Sequence, residues 1–154
     1  MSRETGNWRD ARATEALPVL VVFSDQTDLP WLHILKRGYR HCFLAIFQGS
    51  RWLIYDPLVH RTEIAALDLP SDFNLADWYQ QHGLRVVATE TLPAPVMPSP
   101  FAFWAYLPLR PFTCVEAVKR VLGIRAAGVF TPWQLYRYLH QFAKRGTVFP
   151  CLSS

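Results

Sequence analysis

Short apolar runs along the chain predict β-strands, because strands of a buried sheet carry β-branched and aromatic residues between turn signals. Val19–Phe23 is a continuous run of this kind and predicts a buried strand. His41–Asp56 holds two apolar runs around Gly49-Ser50, which predicts a β-hairpin with its turn at these two residues. Two similar runs predict further strands at His60–Leu67 and Leu84–Leu92.

Four other segments have apolar residues at helical spacing, namely Trp31–Gly38, Phe73–Gly83, Thr113–Leu122 and Thr131–Gly146. In the third segment, Thr113 and Gly123 are suited to begin and end the helix. In the fourth, Thr131 and Pro132 form a start signal. The order strand, helix, hairpin, strand, helix, helix predicts an α+β fold, in which a small antiparallel sheet packs against the helix that bears Cys114 and against flanking helices.

The length and composition of the chain fit one globular domain. It has 154 residues, of which 51% are hydrophobic, and this is enough for a sizeable core. We predict a flexible lead-in at residues 1–17 and a single domain at residues 18–150. Pro93–Pro100 has four prolines in eight residues and predicts an extended loop within the domain, followed by the apolar stretch Phe101–Leu109.

Charge and cysteine content argue against several classes of protein. The net charge is +4 without a dense block of Lys and Arg, so nucleic acid is not expected as a partner. The N-terminus is polar, and no apolar stretch is long enough to span a bilayer, so we expect a cytoplasmic protein without a signal peptide or transmembrane segment. The cysteines, Cys42, Cys114 and Cys151, are odd in number and lack Cys-x-x-Cys spacing, which argues against a disulfide framework and a structural zinc site.

Three residues capable of nucleophilic catalysis stand at the ends of predicted elements. His41 opens the first strand of the hairpin, Asp56 closes the second, and Cys114 begins a helix. A turn at Gly49-Ser50 puts Asp56 opposite Phe43, whereas a turn one residue earlier puts His41 opposite Asp56. In either register both side chains lie at the same end of the hairpin, where the carboxylate can accept the Nδ1–H of His41 and stabilise the imidazolium.

Cys114 has the surroundings of a reactive thiolate. Pro111 cannot lie inside a helix, so the helix begins after it, and Thr113 is its natural N-cap. A thiolate in the first turn is stabilised by unpaired backbone N–H groups and by the helix dipole, and an adjacent imidazolium lowers its pKa further. A free cysteine is more often a small buried hydrophobic residue. We interpret Cys42 as such a core residue and Cys151, in the tail, as inert.

Other side chains near these three have weaker interpretations. His60 follows the hairpin and is a possible substitute for Asp56. His82 lies at a predicted helix end, where it can bond the last carbonyls. Several aromatic residues near the site in sequence are candidates to line a groove, although aromatic residues in strands are more often core: Trp31, Tyr39, Trp52 and Tyr55.

The order of these residues resembles a known enzyme superfamily. "GYRHCFLAIF" looks like the His strand and "FTCVEAVKRVLG" like the Cys helix of the papain-like cysteine peptidases, in the circularly permuted branch that includes the lecithin:retinol acyltransferase group. The resemblance covers roughly residues 19–142, as an order of elements and three positions. It implies a permuted papain-like fold, with Cys114 as nucleophile, His41 as base and Asp56 as the group that orients His41.

The chain also departs from the pattern of this superfamily. The acyltransferase group has an Asn-Cys-Glu-His core where this chain has Thr113-Cys114-Val115-Glu116, so its lipid substrates are not carried over. Papain-type enzymes have an oxyanion Gln shortly before the Cys, whereas the stretch "YLPLRPFT" has none. The backbone N–H of Cys114 is then one expected oxyanion donor, and a side chain near the end of the first strand, Gln26 or Ser24, is the other.

These observations predict a cysteine hydrolase that acts on an amide or ester bond through a thioester, without a cofactor. The expected substrate is a peptide, a peptidoglycan stem peptide or an isopeptide, and the oligomeric state stays open. A first alternative is a binding or assembly module that kept the fold without the chemistry. A second is a zinc site formed by His41, Asp56, His60 and Cys114, although their spacing matches no recognised zinc pattern.

Overall fold

The computed structural model describes residues 16–27, 29–92 and 113–144. Within these ranges, five strands form one antiparallel sheet, accompanied by a short 3-10 helix, Pro30–Ile34, and three α-helices. The strands are β1 (Pro18–Ser24), β2 (His41–Gln48), β3 (Arg51–Pro57), β4 (Thr62–Leu67) and β5 (Arg85–Glu90), and the helices are α1 (Leu75–Gln81), α2 (Cys114–Leu122) and α3 (Pro132–Lys144). The predicted α+β class with a small antiparallel sheet is therefore confirmed.

Helices cover the sheet on both faces, so that the described residues form three layers. The strand order is β4-β3-β2-β1-β5, which places β1 inside the sheet. Val19, Val21 and Phe23 of β1 pack in a core with α2 and α3, whereas Leu20 and Val22 pack in a second core with α1. Burial on both faces explains why β1 reads as a continuous apolar run instead of an alternating pattern.

The β2–β3 hairpin turns at Gly49-Ser50, as predicted. Gln48 pairs with Arg51, and the pairing continues from there to Leu44 opposite Tyr55. The structure therefore adopts the register that places Asp56 opposite Phe43. The alternative prediction, with the turn one residue earlier, is wrong. A turn position with left-handed backbone conformation favours glycine, and Gly49 has φ +66°.

The connection from β1 to β2 differs from its prediction. The helix expected over Trp31–Gly38 is a 3-10 helix that ends at Ile34, and none of its residues is buried. A helix that buries no apolar face has no tertiary packing to stabilise it. The carboxylate of Asp25 instead accepts hydrogen bonds from the Gly38 N–H at 2.7 Å and from Arg40 Nη1 at 3.2 Å. These bonds return the chain to the end of β1, where β2 begins.

Helix α2 has the ends that its sequence predicts. The side chain of Thr113 accepts a hydrogen bond from the Glu116 N–H at 3.2 Å, and Gly123 ends the helix in the left-handed region at φ +71°. A Cβ at position 123 would also come within 3.2 Å of Leu92, a tight contact that adds to the preference for glycine from φ. One face of α2 is buried against the sheet, with Val115, Ala117, Val118 and Leu122 in the core.

The remaining described elements follow their predictions to within two or three residues at each end. At the start of α3, Thr131 Oγ1 accepts from the Gln134 N–H at 3.3 Å, while Gln134 Oε1 accepts from the Thr131 N–H at 3.0 Å. Among the described helices, none combines the length and apolar character needed to cross a membrane. The lead-in through residue 15, the loop Pro93–Pro100, the stretch Phe101–Leu109 and Cys151 lie outside the described residues.

Candidate active site

His41 and Asp56 form a hydrogen-bonded pair at one end of the hairpin. Continuing the observed register by one residue places Asp56 opposite Phe43, so His41 is the diagonal neighbour of Asp56 on the same face. Nε2 of His41 lies 2.6 Å from Oδ1 of Asp56, and the two side chains are only 15% and 24% exposed. Phe43 stacks beside the imidazole with ring centroids 6.4 Å apart, which further fixes the plane of the ring.

The carboxylate contacts Nε2 rather than Nδ1, which corrects the sequence-based prediction. Asp56 lies diagonally from His41, so it meets the part of the ring that is farther from the backbone, where Nε2 is found. When Nε2–H is donated to Asp56, the neutral ring has its unprotonated nitrogen at Nδ1. Nδ1 is therefore the nitrogen that is left to take a proton from a thiol.

Cys114 brings that thiol to the pair. It is the first residue of α2, its side chain is partly buried, and it packs against the core that contains Cys42. His41 and Cys42 both act on the pKa of Cys114, so the three groups lie close together where β2 meets the start of α2. The structure thus gathers the carboxylate of Asp56, the imidazole of His41 and the thiol of Cys114 at one end of the β2–β3 hairpin.

These contacts change the charge state of the site. The hydrogen bond from Cys42 is the main cause that lowers the pKa of Cys114 to about 5; the hydrogen bond and charge of His41 act in the same direction, and burial opposes them. Burial lowers the pKa of His41, but hydrogen bonds and negative charge from Asp56 and Cys114 outweigh it and raise that pKa to about 9. Between about pH 5 and pH 9, the site therefore holds a thiolate beside an imidazolium.

Cys42 has a larger part in the site than its sequence suggested. It is fully buried in the core between β2 and α2, as expected of a core cysteine. Burial raises the pKa of Cys42 well above its ordinary value, and its interaction with Cys114 acts in the same direction. The alternation of β2 was the available signal, because it places Cys42 on the face opposite to Phe43, and that is the face on which α2 packs.

The two predicted oxyanion side chains differ in position. Ser24 is buried at the end of β1 and pairs directly with His41 across the β1–β2 ladder. Directly paired residues in antiparallel strands point to the same face, so Ser24 and His41 are neighbours. Gln26 lies two residues farther along and is exposed. The backbone N–H of Cys114 at the start of α2 and a second donor from Ser24 or Gln26 remain predictions.

The other predicted site residues lie mostly in the core or on the surface. Tyr39 is buried among aromatic rings of β1 and α3, and Trp52 is buried against the α1 side of the sheet, so neither lines a groove. Trp31 is 66% exposed on the 3-10 helix. His60 is exposed in the bend after β3, while Asp56 occupies the position beside His41. Nδ1 of His82 bonds the Trp78 carbonyl at 2.7 Å, which confirms its predicted role at the end of α1.

Within residues 16–27, 29–92 and 113–144, no group of three or more His, Cys, Asp or Glu side chains is arranged to hold a metal ion. No protein-family model, curated protein or solved structure matches the chain. The chemistry of the site must therefore be inferred from its own geometry.

Proposed function

We propose that this chain is a cysteine hydrolase that cleaves an amide or ester bond through a thioester intermediate. The observation that carries the proposal is the contact of Cys114 with a His41 ring whose Nε2 is held by Asp56 at 2.6 Å. A nucleophile, a base within hydrogen-bond reach and a third group that orients the base are the parts that covalent acyl transfer requires.

Acylation follows from the charge state of the pair. The Cys114 thiolate attacks the carbonyl carbon of the substrate, and the carbon–sulfur bond forms as the carbonyl π electrons move to oxygen. The Cys114 N–H is the first proposed donor to this oxyanion, and Ser24 or Gln26 is the proposed second donor. The intermediate collapses as Nδ1 of His41 gives its proton to the departing amine or alcohol, and a thioester on Cys114 is left.

Deacylation reverses the roles of the same groups. His41, now neutral, takes a proton from water through Nδ1 while the water oxygen attacks the thioester carbon. The carbon–sulfur bond breaks, the acid product leaves, and Cys114 returns to the thiolate beside an imidazolium. Asp56 keeps its bond to Nε2 throughout and stabilises the imidazolium in both half-reactions.

The arrangement of elements supports a permuted papain-like fold as part of the same proposal. His41 on β2, Asp56 on the neighbouring β3 and Cys114 at the start of α2 follow the order expected of that branch, on an antiparallel sheet. A peptide, a peptidoglycan stem peptide or an isopeptide is the substrate class that this likeness favours. The thiol–imidazole contact favours the hydrolase over a binding module, which has no need of a paired thiolate.

The test uses p-nitrophenyl acetate, a small activated ester that needs no specific binding pocket. The full chain is expected to release a burst of nitrophenolate and to carry one acetyl group on Cys114, located by peptide mass spectrometry. Cys114→Ala is expected to lose both the burst and the acetyl group, and Cys151→Ser is the matched cysteine control that keeps them. A folded chain whose Cys114 stays unacetylated across pH 6–9 contradicts the proposal.

A further inference from the structure

We infer that Cys42 and Cys114 form an oxidative modification site, in which a hydroperoxide converts the two thiols to a reversible disulfide across the β2–α2 contact. The inference rests on the reactive thiolate of the proposed function, although it does not require catalysis. It gives Cys42, which the hydrolytic mechanism does not consume, a second chemical role beside its hydrogen bond.

The two sulfurs are already neighbours. Cys42 is fully buried in the core formed by the sheet, α2 and α3, and Cys114 packs against that core from the first turn of α2. Cys42 lies on the face of β2 against which α2 packs, and each of the two thiols acts on the pKa of the other. A disulfide brings its sulfurs to about 2 Å and needs cysteines on facing elements, as these two are across the β2–α2 contact.

The difference in exposure determines which sulfur is oxidised first. Cys114 is partly accessible to solvent, whereas Cys42 has no exposed surface. The thiolate is the form that attacks peroxide, and contacts from Cys42 and His41 hold Cys114 in that form. With hydrogen peroxide as the oxidant, Cys114 sulfur attacks one oxygen, the O–O bond breaks, and the leaving hydroxide takes a proton from His41 to become water. Cys114 is then a sulfenic acid, oxidised by two electrons.

The second step involves Cys42 and releases one more water. The Cys42 sulfur attacks the sulfenic sulfur, the S–O bond breaks, and the departing hydroxide leaves as water with the proton of the Cys42 thiol. Burial is the main cause that raises the pKa of Cys42, and the hydrogen bond and charge of the Cys114 thiolate also raise it. The charge contribution vanishes when Cys114 becomes a neutral sulfenic acid, so oxidation itself makes the Cys42 thiol easier to deprotonate.

The disulfide turns the site off and protects it. It removes the thiolate that the hydrolase needs and keeps Cys114 from oxidation to sulfinic and sulfonic acids, which ordinary thiols cannot reverse. A dithiol reductant restores both cysteines by thiol–disulfide exchange, with the partly exposed Cys114 as the accessible sulfur.

The experiment compares two chains in a Cys151→Ser background, so that Cys42 and Cys114 are the only thiols. One chain keeps both cysteines, and the other carries Cys42→Ser, whose hydroxyl still donates to Cys114 but forms no disulfide. Each is treated with hydrogen peroxide, and iodoacetamide labelling and peptide mass spectrometry are read before and after dithiothreitol. Thermal unfolding confirms that both chains are folded, and Cys42→Ala serves as a second variant.

We expect the chain with both cysteines to lose two hydrogens, to yield a peptide cross-linked between residues 42 and 114, and to regain labelling with dithiothreitol. Cys42→Ser should accumulate sulfinic and sulfonic acid at Cys114 and lose recoverable labelling. Equal overoxidation of the two chains, or no cross-linked peptide, overturns the inference. If p-nitrophenyl acetate acetylates Cys114 but no disulfide forms, only the disulfide inference fails. If the disulfide forms but Cys114 is not acetylated, only the hydrolase proposal fails.

Discussion

Cys114 at the start of α2 and Cys42 in β2 are the same chemical group in contact with each other, yet their acidities move in opposite directions. The pKa of Cys114 falls to about 5, mainly through the hydrogen bond that it accepts from Cys42. The pKa of Cys42 rises well above its ordinary value, mainly through burial. Burial raises the pKa of both thiols, so depth alone does not separate them.

The direction of hydrogen bonding separates the two thiols. The thiol and the backbone N–H of Cys42 lower the pKa of Cys114 as donors, and His41 lowers it as a donor and through its positive charge. Cys42 donates instead, and the negative charges of Cys114 and Asp56 oppose its ionisation. A cysteine becomes reactive here because donors lower its pKa, whereas the neighbour that provides the main donor becomes less acidic, mainly through burial.

Removing the imidazole of His41 should have the largest effect on the difference in acidity between Cys114 and Cys42. His41→Ala deletes both the positive charge beside Cys114 and the base that moves its proton, so we expect acetylation by p-nitrophenyl acetate to slow by about 100- to 10,000-fold. The midpoint of iodoacetamide labelling at Cys114 should move to higher pH. His60→Ala is the matched control, because His60 is exposed away from the pair, and it should keep the parent rate. An unchanged rate in His41→Ala means that helix and Cys42 donors activate the thiol without His41.

Removing the carboxylate charge should have a smaller effect that depends on pH. Asp56→Asn leaves an amide oxygen that can accept the Nε2–H of His41, but it removes the negative charge that helps raise the His41 pKa. A histidine is protonated below its pKa, so the imidazolium should be lost at a lower pH than about 9. The alkaline limb of the pH–rate profile for acetylation should therefore move down, with a loss of about tenfold per unit above the new pKa.

Asp68→Asn provides the control for this shift. Asp68 is 76% exposed and pairs with Arg51 at 3.3 Å on the surface, where ion pairs contribute little. Its pH–rate profile should overlay that of the parent chain. An alkaline limb that stays in place in Asp56→Asn contradicts the assignment of Asp56 as the group that supports the imidazolium.

Local sequence features, namely turn residues and helix-capping residues, predicted much of the fold and of the site. The turn at Gly49-Ser50 fixes the register of β2 against β3, and this register brings His41 and Asp56 to the same face. Thr113 and Gly123 set the ends of α2 and leave Cys114 at its first position. Each of these features depends on the conformational preferences of a few consecutive residues, so it can be read without knowing the tertiary structure.

Features that depend on distant residues were not predictable in the same way. The expected helix after β1 is a 3-10 helix, because Asp25 bonds Gly38 and no helical face is buried. The contact of Asp56 with Nε2 depends on a diagonal approach across two strands. The effect of Cys42 on the pKa of Cys114 joins residues more than seventy positions apart, on elements whose packing the sequence pattern does not specify.

The smallest effect at neutral pH should come from Cys42 itself. Cys42→Ala removes the main donor to Cys114, and a hydrogen bond to a charged group contributes about 1.5–3 kcal/mol, which corresponds to a rise of about one to two pKa units. From about 5, the pKa of Cys114 would then stay at or below neutrality, so iodoacetamide labelling at pH 7 should fall by no more than about twofold.

The same variant should show its effect clearly in acid. At pH 5.5 the thiolate fraction of Cys42→Ala should be several-fold lower than in the parent chain, because the pKa of Cys114 has moved above the measured pH. Cys42→Ser is the matched variant, since its hydroxyl can donate to the thiolate in place of the S–H, and it should keep most of the labelling at pH 5.5. If alanine and serine label alike across the whole range, the acidity of Cys114 comes from His41 and the helix end, and Cys42 only fills the core beside it.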